Sequence, residues 1–246
     1  PMTVSGARVI DAGDSAVVCD VEARSVSTPG VDVDVNARAI AIAAAVRQRT
    51  IAGVRDVVPT FRSVTVFFDP LGTDVSEVTV ALGESMRAAP PVSSGRTIDV
   101  PVVYGGDGGP DLGEVAAFAR CSPDTVIARH AGRTYRVCML GFLPGFAYMA
   151  SVDETIAMPR RGTPRMRVPA GSVGIAGPQT GIYPTESPGG WQIIGRAAAT
   201  LFDPGRTPPA LLSPGDQVRF VPVDAVADLE PGRIETASAP NTARGG

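Results

Sequence analysis

The sequence contains no lysine; all 22 basic positions among its 246 residues are arginine. A Walker-type phosphate loop ends on a lysine, and a Schiff-base enzyme needs a lysine amine, so both classes are excluded. Histidine occurs once, as His130, and cysteine three times, as Cys19, Cys121 and Cys138. That supply excludes zinc fingers and His-cluster metal sites. No two cysteines have a disulfide-framework spacing, so a reducing cytoplasm is expected. Long apolar runs are missing too. The longest, Ala39–Val46, is far short of the ~20 residues that span a bilayer. Pro1-Met2-Thr3-Val4-Ser5-Gly6 has no charged start followed by an apolar stretch, so no signal peptide is expected. Net charge is −3, which gives no field to draw in nucleic acid. Present in excess are Gly (28) and Pro (23), about a fifth of the chain against an average near ~12%. This favours turns and short strands over long helices. With 44% hydrophobic and 19% charged residues the chain is globular. Its length suits one large or two small domains at ~100–200 residues each.

Residues 1–90 read as a small α+β unit. Arg8–Asp14 and Ser15–Val21 form a hairpin turning at Gly13-Asp14. Asp32 or Asp34 caps an Ala-rich helix running to about Ala52, with Gly53 as its stop. Val54–Val58 and Ser63–Phe68 are strand-like, and Val75–Ala88 is a second helix capped by Asp74. The order ββαββα fits helices packed on one face of an antiparallel sheet. Ala89–Gly95 is the linker candidate, being small, polar and Pro-rich. Residues 91–227 then form a second unit. A strand starts at Thr97, and a helix runs from Asp111 to about Arg120. Another helix has Ser122 as cap, Pro123 in its first turn and Gly132 as stop, and is followed by strand Thr134–Leu140. Gly141–Gly195 holds 10 Gly and 7 Pro, which excludes helices there and leaves short barrel or sandwich strands such as Ser172–Ala176 and Trp191–Ile194. Leu211–Val221 is the last strand, and 228–246 reads as a flexible tail.

The chemistry-bearing residues lie in the Gly/Pro-dense stretch. Arg160, Arg161, Arg165 and Arg167 fall within eight residues. Arginine suits bidentate contact with carboxylate or phosphate, so they read as an anion site or as a solvated loop paired with surface acids. His130, at a helix end, is a general acid–base candidate or a cap whose cation the helix dipole favours. Trp191, the sole tryptophan, stacks on a planar ligand or fills the core. Gly189-Gly190 and Gly171-Ser172 offer backbone donors to a developing oxyanion, or simply make tight barrel turns. Ser172 lacks a Gly-x-Ser-x-Gly elbow, which argues against a hydrolase triad. Glu186 and Asp153-Glu154 are a weak Mg²⁺ signal. Cys138, in a predicted buried strand, should be inert.

Tyr104-Gly-Gly, Gly109-Pro-Asp-Leu112, His130, Gly141-Phe-x-Pro-Gly-Phe146, Thr163-Pro-Arg165, Val168-Pro-Ala-Gly-Ser172, Thr180-Gly-Ile-Tyr-Pro184 and Ser187-Pro-Gly-Gly-Trp191 together carry a resemblance. The chain resembles the family of 5-oxoprolinase B subunits (PxpB), also known as allophanate hydrolase subunit 1 or the sporulation kinase inhibitor KipI. It is similar as well to part of the urea carboxylase carboxyltransferase domain. The resemblance implies an α+β fold, with an N-terminal ferredoxin-like α/β sandwich and a C-terminal cyclophilin-like β-barrel. It implies two protein partners, a KipA-like one and a LamB/YcsF-like one, and ATP-dependent opening of 5-oxoproline to glutamate. ATP and Mg²⁺ would be held by this chain or by a partner. The reading places Arg165 and His130 in catalysis, as carboxylate or phosphate ligand and as proton carrier. Arg160, Arg161 and Arg167 support the anion, Gly171, Ser172, Gly189 and Gly190 face the oxyanion, and Gln179, Tyr183, Trp191, Phe142, Pro144 and Phe146 line the pocket. The competing reading is a binder that inhibits a sensor histidine kinase and needs no catalysis.

Overall fold

Period-two and period-3.6 patterns sort along the chain, which a computed structural model describes over residues 2–4, 7–21, 31–88, 95–224 and 236–237. The chain divides into two compact units, 1–93 and 94–246.

The first unit runs β1 (Met2–Val4), β2 (Ala7–Asp11), β3 (Ala16–Val21), α1 (Val33–Gln48), β4 (Val54–Pro59), β5 (Ser63–Phe68) and α2 (Val75–Ala88). Its sheet has the order β1-β2-β3-β5-β4 with antiparallel neighbours. Val17 pairs with Val66 and Cys19 with Val64, so alternate residues of both strands share one face. Ala39, Ile42 and Val46 of α1 and Val78, Leu82 and Met86 of α2 pack on that face in one buried cluster. Asp32 caps α1, its carboxylate accepting the Asp34 and Val35 N–H groups at 3.0 Å. The helix stops at Gln48, short of the predicted Ala52, because Thr50 turns to φ +49°. Gly53 makes the turn into β4, where a Cβ would overlap Thr73 Oγ1.

The second unit runs β6 (Thr97–Tyr104), α3 (Leu112–Phe118), α4 (Pro123–Ala131), β7 (Thr134–Leu140), β8 (Ala147–Ala150), β9 (Arg165–Val168), β10 (Ser172–Ala176), β11 (Gln179–Ile182), β12 (Ser187–Gly189), β13 (Gln192–Ala197), β14 (Gln217–Pro222) and β15 (Thr236–Ala237). Seven strands, β13-β10-β11-β8-β7-β14-β6, close into a barrel through pairing of Tyr104 with Gly195 and Val102 with Ala197. The fold is thus α+β with a β-barrel. Closure depends on β14 running parallel to β6, Gln217 beside Thr97. Val100, Val137, Met149, Ile175, Ile194 and Phe220 are among the residues that fill the interior. Strands β9 and β12 form a separate two-stranded ribbon.

Ser122 caps α4 and Gly132 ends it, as the pattern predicts. The first helix of this unit is shorter than predicted, because Arg120 adopts φ +50°. The last barrel strand starts at Gln217 rather than Leu211, since Asp216 accepts the Ser213 N–H and holds that segment in a turn. The predicted linker lies outside the described residues apart from Gly95, and the predicted tail apart from Thr236–Ala237, which pair with Ile98 and Thr97. Among the described residues no helix is long and apolar enough to cross a membrane.

Candidate functional site

The Gly/Pro-dense stretch folds so that five rings wall a pocket of about 230 Å³: Phe142, Phe146, Tyr148, Tyr183 and Trp191. Phe146 stands at its centre. It meets Tyr148 at 4.9 Å, Tyr183 and Trp191 at 5.4 Å and Phe142 at 5.6 Å between ring centroids, all edge to face. That is the arrangement aromatic quadrupoles favour. Phe146, Tyr183 and Trp191 are buried, while Phe142 is 60% exposed at the mouth. Trp191 therefore serves both the core and the wall. The polar lining is Arg160, Gln179 and the Gly189-Gly190 backbone, with Pro164 and Pro188 beside them. Burial raises the Tyr183 and Tyr148 phenols above their usual range, and the Arg160 charge works against that rise at both. Tyr148, Pro164, Ala176 and Pro188 are lining residues that the sequence reading missed. Tyr148 is an aromatic two residues beyond Phe146 in the same stretch, which was a usable signal. Pro144 is exposed in the turn before Gly145 and does not line the pocket.

The four neighbouring arginines do not act together. Arg161 Nη1 and Arg165 Nη2 both donate to Asp111 Oδ1, at 3.0 and 2.5 Å. Asp111 Oδ2 accepts the Ile193 N–H at 2.6 Å. One buried carboxylate thus ties the 160–165 loop to β13 and to the start of α3. Arg167 forms a two-pronged pair with Glu186 in solvent. This corrects the expected four-fold anion cup. Arg160 is the member that lines the pocket, and among the described residues it forms no ion pair. Asp111 was not singled out by the sequence reading, although it sits in the quoted Gly109-Pro-Asp-Leu112 motif.

The backbone-donor candidates separate in the same way. Gly171 has φ +80°, and a Cβ there would overlap Ala197 O, so the barrel turn requires it. Ser172 is buried at the head of β10 and, like Gly171, does not line the pocket. Gly189 and Gly190 do line it. Glu186 and Asp153 are occupied by Arg167 and Arg133. Among the described residues no three His, Cys, Asp or Glu side chains are placed to hold a metal.

His130 occupies the end of α4 but lies wholly inside the barrel unit. Its ring sits 4.6 Å from Phe220 and 5.2 Å from Tyr135. Thr180 Oγ1 gives its one proton to Gly174 O, so it must accept from His130 Nε2 at 2.9 Å. Nδ1 then accepts the Tyr104 O–H at 2.8 Å. This fixes one neutral tautomer. Burial pushes the imidazole down to about 3. The expected dipole-favoured cation is therefore overturned; desolvation outweighs the helix end.

Cysteine chemistry follows the same logic. Burial pushes Cys19 and Cys138 up to about 11, while Cys121 is half-buried. Titration of the native protein with a thiol reagent at pH 8 is expected to modify Cys121 and leave the other two until denaturant is added. Immediate reaction at Cys138 would contradict its placement in the closed barrel.

The chain belongs to the carboxyltransferase domain family, subdomain C and D, which matches residues 7–212. A relative from Escherichia coli O157:H7, named as the B subunit of 5-oxoprolinase, is 49% identical over 172 residues, covering 69% of this chain and 78% of that protein. A Haemophilus influenzae protein of the same name is 40% identical over 215 residues, covering 87% and 96%. The crystal structure of TTHA0988 superposes with a TM-score of 0.71 at 38% identity over 80% of this chain, which spans only 38% of that longer chain.

Proposed function

We propose that this chain is the B subunit of an ATP-dependent 5-oxoprolinase complex and that the aromatic pocket takes the lactam. The observation that carries the reading is the pocket itself. Its rings suit a flat, five-membered amide. Arg160, with no ion pair among the described residues, supplies a cation for the ring carboxylate, and the Gln179 amide can pair with the lactam group. The name shared by the curated relatives points the same way.

ATP would transfer its terminal phosphoryl group to the lactam oxygen, releasing ADP. Water would then add to the activated carbon, the ring C–N bond would break with a proton passing to nitrogen, and phosphate would leave. The residues described around this pocket do not fit a nucleoside triphosphate. The pocket holds one guanidinium, and the described residues offer no metal-ligand cluster. ATP and Mg²⁺ are therefore assigned to the KipA-like or LamB/YcsF-like partners, in the cytoplasm. The chain's own part is to bind and orient. The rings hold one face of the lactam and leave the other to the attacking water, Arg160 fixes its carboxylate, and the backbone at Gly189 lies beside the lactam oxygen. Proton transfer is not assigned to His130, which is neutral and enclosed, nor anion binding to Arg165, which Asp111 already holds.

The test is ATP-coupled turnover of 5-oxoproline by the complex reconstituted with both partners. Arg160→Met is expected to lower kcat/KM roughly ten- to a hundredfold, the worth of a charge-assisted hydrogen bond of ~1.5–3 kcal/mol. Full activity in that variant, or no 5-oxoproline turnover by the wild-type complex, sinks the reading.

A further inference from the structure

Two adjacent glycines border the pocket for different physical reasons. A Cβ at Gly189 would overlap Tyr183 Oη and lie 2.9 Å from its ring, so packing alone demands glycine there. Gly190 is under no such demand. Its φ is outside the positive range that favours glycine, and a Cβ would make ordinary contacts, 3.7 Å to Pro164 Cγ, 3.7 Å to Arg161 O and 3.8 Å to Arg160 Nε. Neither conformation nor packing explains the missing side chain. The space it leaves open lies against Arg160 and Pro164, both lining residues.

The neighbouring charges sharpen the point. Arg161 and Arg165 are occupied by Asp111, and Arg167 by Glu186, whereas Arg160 forms no ion pair among the described residues. The floor of this corner is also fixed. Gly190 O accepts the Arg161 N–H at 2.7 Å, and the Gln192 side-chain amide donates to Pro159 O at 2.8 Å. Both bonds hold the backbone on either side of Arg160 to the segment that carries Gly190. The corner is therefore a preformed recess with a guanidinium edge on one side and no Cβ on the other.

We propose that Gly190 is a specificity-determining residue, its bare Cα making room beside Arg160 Nε for the carboxylate of the ligand. The proposal rests on the lactam reading above and adds to it the subsite that separates a carboxylated ring from an uncharged one. A methyl group at position 190 would occupy the volume that a carboxylate oxygen needs to reach the guanidinium, while leaving the ring face untouched.

The experiment compares L-5-oxoproline with 2-pyrrolidinone, the same ring without the carboxylate, by calorimetry on the reconstituted complex carrying wild type, Gly190→Ala or Arg160→Met. Wild type is expected to favour 5-oxoproline by tenfold or more. Gly190→Ala should keep the wild-type melting temperature and 2-pyrrolidinone affinity while losing most of that preference. Arg160→Met should lose it too, and the double variant should lose no more than either single one, since both act on one contact. Retention of the preference in Gly190→Ala, equal weakening of both ligands, or a lowered melting temperature that shows the glycine serves packing each overturns the proposal. Binding of neither ring by the wild-type complex overturns the lactam reading instead.

Discussion

Asp111→Ala is expected to destabilise the barrel unit by about 3 kcal/mol, the low end of the range for removing one member of a buried ion pair. The Asp111 side chain is 2% exposed, whereas Arg161 and Arg165 keep 30% and 27% of theirs exposed. Part of each arginine side chain stays in water and softens the loss, which places it at the low end, although Arg161 Nε and Arg165 Nη1 are buried without a hydrogen-bond partner. The backbone has no such relief. Ile193 is buried, and its N–H would lose the carboxylate that accepts it. Arg161→Ala should cost only about 1 kcal/mol, because Asp111 keeps Arg165 and the Ile193 N–H. Asp111→Asn should fall between, since it keeps an acceptor for the strand and gives up the charge. Trp191, the sole tryptophan, lies one residue before β13, so its fluorescence in urea reads the barrel and not the N-terminal sandwich. Equal unfolding midpoints for wild type and Asp111→Ala would show that the clamp contributes nothing.

The clamp also marks where reading the sequence stops. Local signals were legible: the Gly13-Asp14 hairpin, the Asp32 and Ser122 caps, the Gly132 stop and the alternation of Thr134–Leu140 all depend on residues within a few positions of each other. The run of four arginines was visible too. Its neutralisation was not, because the carboxylate that holds two of them lies 50 and 54 residues earlier in the chain. Barrel closure is non-local in the same way, since it needs β14 to come back parallel to β6 from far along the chain, Gln217 beside Thr97. Pocket membership was half legible. The aromatics and glycines of the quoted motifs were correctly grouped, so Phe142, Phe146, Gln179, Tyr183, Gly189, Gly190 and Trp191 meet at one place with Arg160. Gly171 and Ser172 looked equivalent to them in sequence but do not line the pocket: Gly171 closes a turn against Ala197 O, a neighbour 26 residues along the chain that no local pattern shows.

Lowering the pH from 7 to 5 is expected to cost the barrel unit about 2 kcal/mol, with His130 as the source. Burial holds the folded imidazole at about 3, against a usual value of 6.5 in the unfolded chain. Between those values the unfolded chain binds the extra proton. Stability is therefore complete above about pH 6.5 and falls as the pH descends towards 3, by roughly 1.4 kcal/mol per pH unit once below 6. The chain has one histidine, so a variant without it isolates this group's share of the pH dependence. His130→Gln should be less stable at pH 7, because the Tyr104 and Thr180 hydrogen bonds are disturbed, but its stability should be nearly flat from pH 7 to 5. Parallel slopes in the two proteins would mean that the folded imidazole is protonated normally and is not enclosed. The same measurement separates two explanations for any inactive His130 variant. If the residue acts only through the fold, loss of turnover in the complex should follow the unfolded fraction, and kcat/KM measured well inside the folded range should show no inflection belonging to this group. A catalytic imidazole would instead leave an inflection in wild type that the variant lacks while both proteins remain folded.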